Sequence, residues 1–265
     1  MRSISSVCIF LLTVFSTSIR TDNDFCGIRN TAFQAGEMVS FKIYYSIAGV
    51  YFPSGNASFN VNLEKYEGKP VYHITGTGKT SGFVESAFKV RDKYETFIDT
   101  GNMLPYKFIR NVSEGGHNFY QNVAFNKKAN TAITSTGVYK VPACVQDVLS
   151  AIFYARNIDF DKYKPEDRIP FSMFLDNQVY DLFIRYLGKE NIRTKYGKFK
   201  TIKFRPLLIK GTIFTGGEKM TVWVSDDSNH IPVKIESPIV VGNITAEMIG
   251  YRNARNPLSS LISPH

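Results

Sequence analysis

Ionisable side chains break the apolar face of two strand-like segments. Asp92 falls in phase with Val90 and Tyr94, and Arg110 falls in phase with Phe108 and Val112. Alternate residues of a strand share a face, so each charge sits among bulky apolar neighbours. A charge taken out of water needs a partner. Two further charges lie on the one segment with helical spacing, Arg156 within its apolar stripe and Asp147 off it. Inward placement predicts an Asp–Arg pair between sheet and helix, whereas outward twist predicts an exposed rim.

Other chemistry is less well supported. Glu37, Glu85, Asp92, Glu95 and Asp147 could supply the two carboxylates of a glycosidase. That reaction sets them about 5–9 Å apart, a distance that spacing along the chain does not define. His73, His117, His230 and His265 fall in no H-x-x-x-H pattern, and no C-x-x-C is present, so no metal site is expected. Asp226-Asp227-Ser228-Asn229-His230 clusters oxygen ligands but lacks the central glycine and distal glutamate of a calcium loop. It reads as a turn. No G-x-S-x-G occurs, and Gly76-x-Gly78 precedes no lysine-bearing helix that could hold a phosphate. No cofactor is expected.

The elements that must position these residues are mostly strands. Val39, Phe41, Ile43, Tyr45 and Ile47 alternate with Ser40, Lys42, Tyr44 and Ser46, and similar runs recur to Tyr251 with turn residues between them. Ser86–Thr100 reads as one long strand, Gly188-Lys189 as a hairpin turn, and 210–214 as a strand. Against this background Val145, Val148, Leu149, Ile152, Phe153 and Arg156 recur at helical spacing, predicting one helix over about 144–157. The expected fold is all-β and mainly antiparallel, a strongly curved sheet or incomplete barrel of about 12–14 strands. The helix would pack on its concave face. Residues 19–252 read as a single β domain with this inserted helix, two β layers being the alternative, and residues 253–265 as a frayed tail. A helix across a curved aromatic sheet can leave a cavity beside it. Asp92, Arg110, Asp147, Phe153, Tyr154, Arg156 and Trp223 are its candidate lining.

Residues 1–18 have the make-up of a cleaved signal peptide: Arg2, an apolar run from Ile4 to Phe15, then Ser16 and Ser18. In an oxidising compartment Cys26 and Cys144 are expected to pair. No later run is apolar enough for a transmembrane helix. The net charge of +9 would favour an anionic membrane surface or acidic polymer. The basic residues form no nucleic-acid arm, so no nucleic-acid partner is expected. Asn56, Asn111 and Asn243 begin N-x-S/T triplets, which matter only in a eukaryotic secretory pathway.

Three segments carry a family resemblance: Phe33-Gln-Ala-Gly-Glu37 leading into Val39–Tyr45, Gln146–Arg156, and Val222-Trp-Val-Ser-Asp-Asp227 followed by Ile231-Pro-Val233. With them the chain resembles an exported-protein family of Gram-negative bacteria, a domain of unknown function numbered three-one-zero-eight. The resemblance implies a periplasmic or outer-membrane-associated β protein and no assigned activity. The preferred expectation is a non-catalytic cell-envelope protein binding an apolar or amphipathic, lipid-like molecule. The alternatives are an exported glycan or peptidoglycan hydrolase and an adhesive module for acidic polymers.

Overall fold

Alternation places Val39 and Phe41 on the same side of β1 (Met38–Ile47), and both are buried. The same period of two builds β2 (Val50–Tyr66) and β3 (Lys69–Thr80). A short helix α1 (Phe83–Ala87) precedes β4 (Val90–Asp99), β5 (Pro105–Glu114), β6 (His117–Asn126), β7 (Thr131–Thr134) and β8 (Gly137–Lys140). Helix α2 (Val148–Ala155) and a 3-10 turn (Phe160–Lys162) follow. The second half comprises β9 (Arg168–Leu175), β10 (Gln178–Arg193), β11 (Gly197–Pro206), β12 (Thr221–Ser225), β13 (Pro232–Pro238), β14 (Asn243–Arg252) and β15 (Leu261–Pro264). This computed structural model describes residues 26–210, 216–239 and 241–265. The signal peptide expected over 1–18, and the strand expected over 210–214 beyond its first residue, lie outside the described residues.

The strands form one antiparallel sheet, not closed into a barrel. β8 to β1 run in reverse chain order, then β14 back to β9, with β15 added beside β11. Its free edges are β8 and β9, and the segment that joins them in sequence carries α2. Val141 N–H donates to the Asn130 carbonyl at 3.0 Å, while Gln146 N–H donates to the Ser172 carbonyl and the Gln146 carbonyl accepts from Phe174 N–H, both at 2.9 Å. The linker thus touches the β6–β7 turn and pairs with part of β9, blunting an edge that would otherwise invite pairing with another chain.

These bonds also make the helix shorter than 144–157. Gln146 is held extended in a parallel bridge to Met173, so the helix starts only after Asp147. The Asp147 carboxylate accepts from Leu149 N–H and Ser150 N–H, both at 2.8 Å, and Ser150 Oγ accepts from Asp147 N–H at 2.8 Å. This reciprocal cap satisfies donors the first turn leaves free. The helix packs on the concave side, where Leu149 faces Gly76, and the Phe153 ring meets Phe33 and Phe59 edge-on at 4.9 and 5.8 Å.

Three other expectations need correction. The first part of Ser86–Thr100 belongs to α1 and the turn after it, not to a strand. Gly188 does not turn the chain. It sits at a bulge in β10, where the register against β11 shifts between Tyr186 and Gly188. The tail is not frayed either: β15 pairs with Gly197–Phe199 of β11. Gly197 permits that pairing, since a Cβ there would lie 2.4 Å from the Ser263 carbonyl oxygen. Asn256 N–H also donates to Asn229 Oδ1 at 2.8 Å. The Cys26–Cys144 disulfide joins residues 118 apart and fastens the N-terminal lead to the segment before α2.

Candidate functional site

Cross-strand partners share a face, so the register defines the floor of the trough. One row reads Phe59, Gly76, Tyr94, Arg110, Gln121, and the next reads Ala57, Gly78, Asp92, Val112, Phe119. The helix covers the first row at Gly76, where a Cβ would lie 3.2 Å from Phe59 and 3.4 Å from Leu149. It does not reach the second. A Cβ on Gly78 would meet nothing within 4 Å. The trough is therefore plugged at one end and open at the other, and the polar residues of the floor gather at the opening.

Asp92 lies in this mouth, half-buried, with Ser113 N–H donating to its Oδ1 at 3.1 Å. Burial, and then the charge and hydrogen bond of Glu114, push its carboxyl up to about 7. Tyr94 beside it is pushed up to about 12, chiefly by burial and then by the Asp92 charge. Arg110 pairs with Asp176, and its guanidinium lies 4.1 Å from the centre of the Phe119 ring. Asp176 and Asn177 form the two-residue turn between β9 and β10, both at positive φ (50° and 62°). Asp and Asn tolerate that conformation, so the turn can lean across the mouth onto β5. Arg110 Nε, Gln121 Oε1 and Asn177 Oδ1 are buried with no hydrogen-bond partner among the described residues.

Asp147 sits deeper, at the helix start. It is fully buried, and Thr96 Oγ1 donates to its Oδ2 at 2.7 Å. Burial outweighs these donors and pushes its carboxyl up to about 6. Arg156 lies at the other end of α2. Its guanidinium donates to both Glu37 oxygens, at 2.6 and 3.1 Å, to the Asn229 carbonyl at 3.0 Å and to the Ala32 carbonyl at 3.3 Å. His230 Nδ1–H caps the Arg156 carbonyl at 2.8 Å. This is a lock, with every partner supplied by the chain itself.

Residues 40–249 match the family described as a protein of unknown function, DUF3108. The chain belongs to the DUF3108 family. No curated protein matches it. Among solved structures it is similar to a β-barrel-like protein of another domain of unknown function, DUF1849, from Brucella abortus. The two are 8% identical with a TM-score of 0.53, over 84% of this chain and 99% of that one. A lipoprotein candidate from Parabacteroides distasonis is 13% identical, with a TM-score of 0.36 over 84% and 100%. A candidate exported protein with a YmcC-like fold from Bacteroides fragilis is 10% identical, with a TM-score of 0.32 over 85% and 99%. The first shows a common fold and nothing finer.

In this DUF3108 chain two of the segments that carried the resemblance meet at the lock, not at the mouth, and the turn between the two parts of the third closes it. Glu37 holds Arg156, and the Asp226–His230 stretch is a turn whose Asn229 and His230 complete the ring of bonds. The predicted lining residues separate accordingly. Asp92 and Arg110 both lie at the mouth, in adjacent rows of the floor. Asp147, Phe153, Tyr154 and Arg156 are buried against the sheet. Trp223 is elsewhere: Val222 and Val224 face the helix-side core, so Trp223 points to the opposite face of β12. There its indole N–H donates to Glu190 at 2.6 Å, and Lys203 and Lys234 each lie 5.4 Å from its ring centre.

Glu114, Gln121 and Asp176 complete the mouth and were missed. Glu114 lies four residues past Arg110, and Asp176 is brought over by a turn 66 residues away. A second concavity of about 340 Å³, lined by Glu166, Leu187–Glu190, Lys203 and Arg205, lies along the β10 bulge. Its lysines are matched within the chain, Lys203 by Glu190 and Lys189 by Asp161 and Asp226. No helix among the described residues is long and apolar enough to cross a membrane.

Proposed function

We propose that this DUF3108 chain is an exported, non-catalytic cell-envelope protein that binds an amphipathic molecule at the mouth of its trough. The observation that carries this reading is the change between Gly76 and Gly78. One is packed by the helix, and two residues on the same face open into unfilled space. Ala57, Val112 and Phe119 supply apolar wall to that space, and Asp92, Glu114, Tyr94 and Arg110 supply polar groups for a head. The acid pair favours a head group that donates hydrogen bonds, and the buried Arg110 Nε favours an acceptor beside it. The apolar part of the ligand belongs at the mouth, because the space around Phe153 and Tyr154 is filled by the protein. Export is supported by the residues 1–18 pattern and by the Cys26–Cys144 bond.

The acid pair also bears on the hydrolase alternative. Beside Glu114, whose charge and hydrogen bonding add to burial, the Asp92 carboxyl holds its proton more tightly, an environment that favours two acids sharing a proton over a separate nucleophile and acid.

The test uses native mass spectrometry with lysophosphatidylethanolamine as the probe, comparing wild type with Gly78→Leu. Filling the floor should weaken retention at least roughly tenfold while the fold is kept, because steric exclusion removes apolar contact as well as space. Equal retention by both proteins, or none by either, would remove the mouth as a binding site.

A further inference from the structure

Alternate connections of an up-and-down sheet fall at the same end of it, so the β1–β2, β3–β4, β5–β6, β9–β10 and β13–β14 connections ring the mouth. At or beside each of the five a large apolar side chain is exposed: Tyr51 (63% exposed) and Phe52 at the start of β2, Phe83 (83%) in the second connection, Phe119 and Val179 near the starts of β6 and β10, and Val241 (59%) in the last connection. Helix α1, which holds Phe83, buries none of its side chains. Single exposed apolar residues are ordinary, but a ring of them around one opening marks an interaction surface.

Charge narrows the partner. The acids of the rim are compensated or withdrawn: Glu85 pairs with Arg91, Asp176 pairs with Arg110, and Glu114 is buried. Lys79, Lys89 and Lys210 stand exposed at the same end. The chain as a whole carries +9. Aromatic side chains on projecting turns with lysines between them suit the interfacial layer of an anionic bilayer. There the rings enter the headgroup region and the lysines meet lipid charge.

We propose that this rim docks on an anionic lipid surface, so that the mouth opens onto the bilayer. This goes beyond ligand binding in the mouth, because it assigns the outer rim a partner and the molecule an orientation. Extraction of a lipid into the trough would then take place without passage through water.

The experiment is vesicle flotation of the purified chain, every variant sharing one N-terminus. The vesicles are phosphatidylglycerol–phosphatidylethanolamine in one arm and phosphatidylcholine in the other. Wild type should float with the anionic vesicles and be released by salt. Lys79→Gln, Lys89→Gln and Lys210→Gln should each weaken partitioning about fivefold. The triple variant Tyr51→Ser/Phe52→Ser/Phe83→Ser should weaken it at least roughly tenfold with an unchanged thermal midpoint. Gly78→Leu should float like wild type, which separates a failure of docking from a failure of the pocket. Flotation indifferent to the triple variant would overturn the proposal. So would a rim-dependent dimer in the absence of vesicle binding, which would make a second copy the true occupant.

Discussion

Replacing Asp147 by Asn should change how stability depends on pH, with little change in structure. Asp147 caps α2 with no exposed surface, and its carboxyl is held at about 6 in place of 3.8. A carboxyl that binds its proton more tightly folded than unfolded favours the native state at low pH. That advantage is complete below the unfolded value and is lost as pH rises through the folded one. At about 1.4 kcal/mol per pH unit, the loss between pH 4 and pH 6 comes to about 3 kcal/mol. Asn is an equally good cap. Its Oδ1 can keep the bonds from Leu149 and Ser150, and its Nδ2 can donate to Thr96 Oγ1. The Thr96 hydroxyl can then turn fully to the Lys107 carbonyl, 3.4 Å away.

The assay is urea unfolding from pH 4 to pH 8 for both proteins, read as the difference between the two curves. The difference matters because other groups titrate nearby. Burial holds His230 below 6.5, so its folded form resists charging and stability is lost as pH falls. That slope is opposite in sign and overlaps the same window. Asp92 has the same sign as Asp147 and runs up to about 7, but it is half-exposed and screened. Both contributions cancel in the difference. Asp147→Asn should gain about 3 kcal/mol on wild type between pH 4 and pH 7. Parallel curves would refute the reasoning, showing that Thr96 and the two backbone N–H groups fully offset burial of the charge.

Breaking the lock from one side, by Glu37→Gln or Arg156→Met, should cost about 3–5 kcal/mol in chemical unfolding, because the remaining charge stays buried without its partner. The double variant Glu37→Leu/Arg156→Met should recover part of that loss. Reducing Cys26–Cys144 should lower stability by up to about 5 kcal/mol, from the 118-residue separation it spans, seen as a lower urea midpoint under reductant. Gly76→Leu should destabilise by about 1–3 kcal/mol, since Phe59 and Leu149 occupy the space. Gly78→Leu should stay within about 1 kcal/mol of wild type by the same measurement. Similar costs at the two glycines would mean the floor is filled at both.

The strands were legible because one face is wet and the other dry, and a period of two survives along Met38–Ile47 or Pro105–Glu114 without knowledge of the partners. The helix was legible as an apolar stripe, but its start was not. Val145 fits the helical spacing and yet lies in an extended segment, because Gln146 pairs with β9 and no local signal announces that bond. The tail failed for a related reason. Residues 253–265 are polar in sequence, and their order comes from Asn256 on Asn229 and from the approach of β15 to Gly197.

The expected charge pair between sheet and helix shows how far such reasoning reaches. Buried charges did find partners, as electrostatics requires, but different ones. Asp147 took Thr96, Arg156 took Glu37, and Arg110 took Asp176. Pattern identifies which side chains turn inward, while partner choice depends on which distant segments the fold brings together. The Arg110–Asp176 pair holds the β9–β10 turn over β5 at the mouth. A site of this kind has no sequence motif, since its walls come from one half of the chain and its overhanging turn from the other. Its legible trace was narrower: Asp92 and Arg110 in phase with apolar neighbours on adjacent strands. Both charges lie on the face against which the helix packs, Arg110 in the row of Gly76 and Asp92 in the row of Gly78, so pattern picked out the polar residues of that floor and not what they bind.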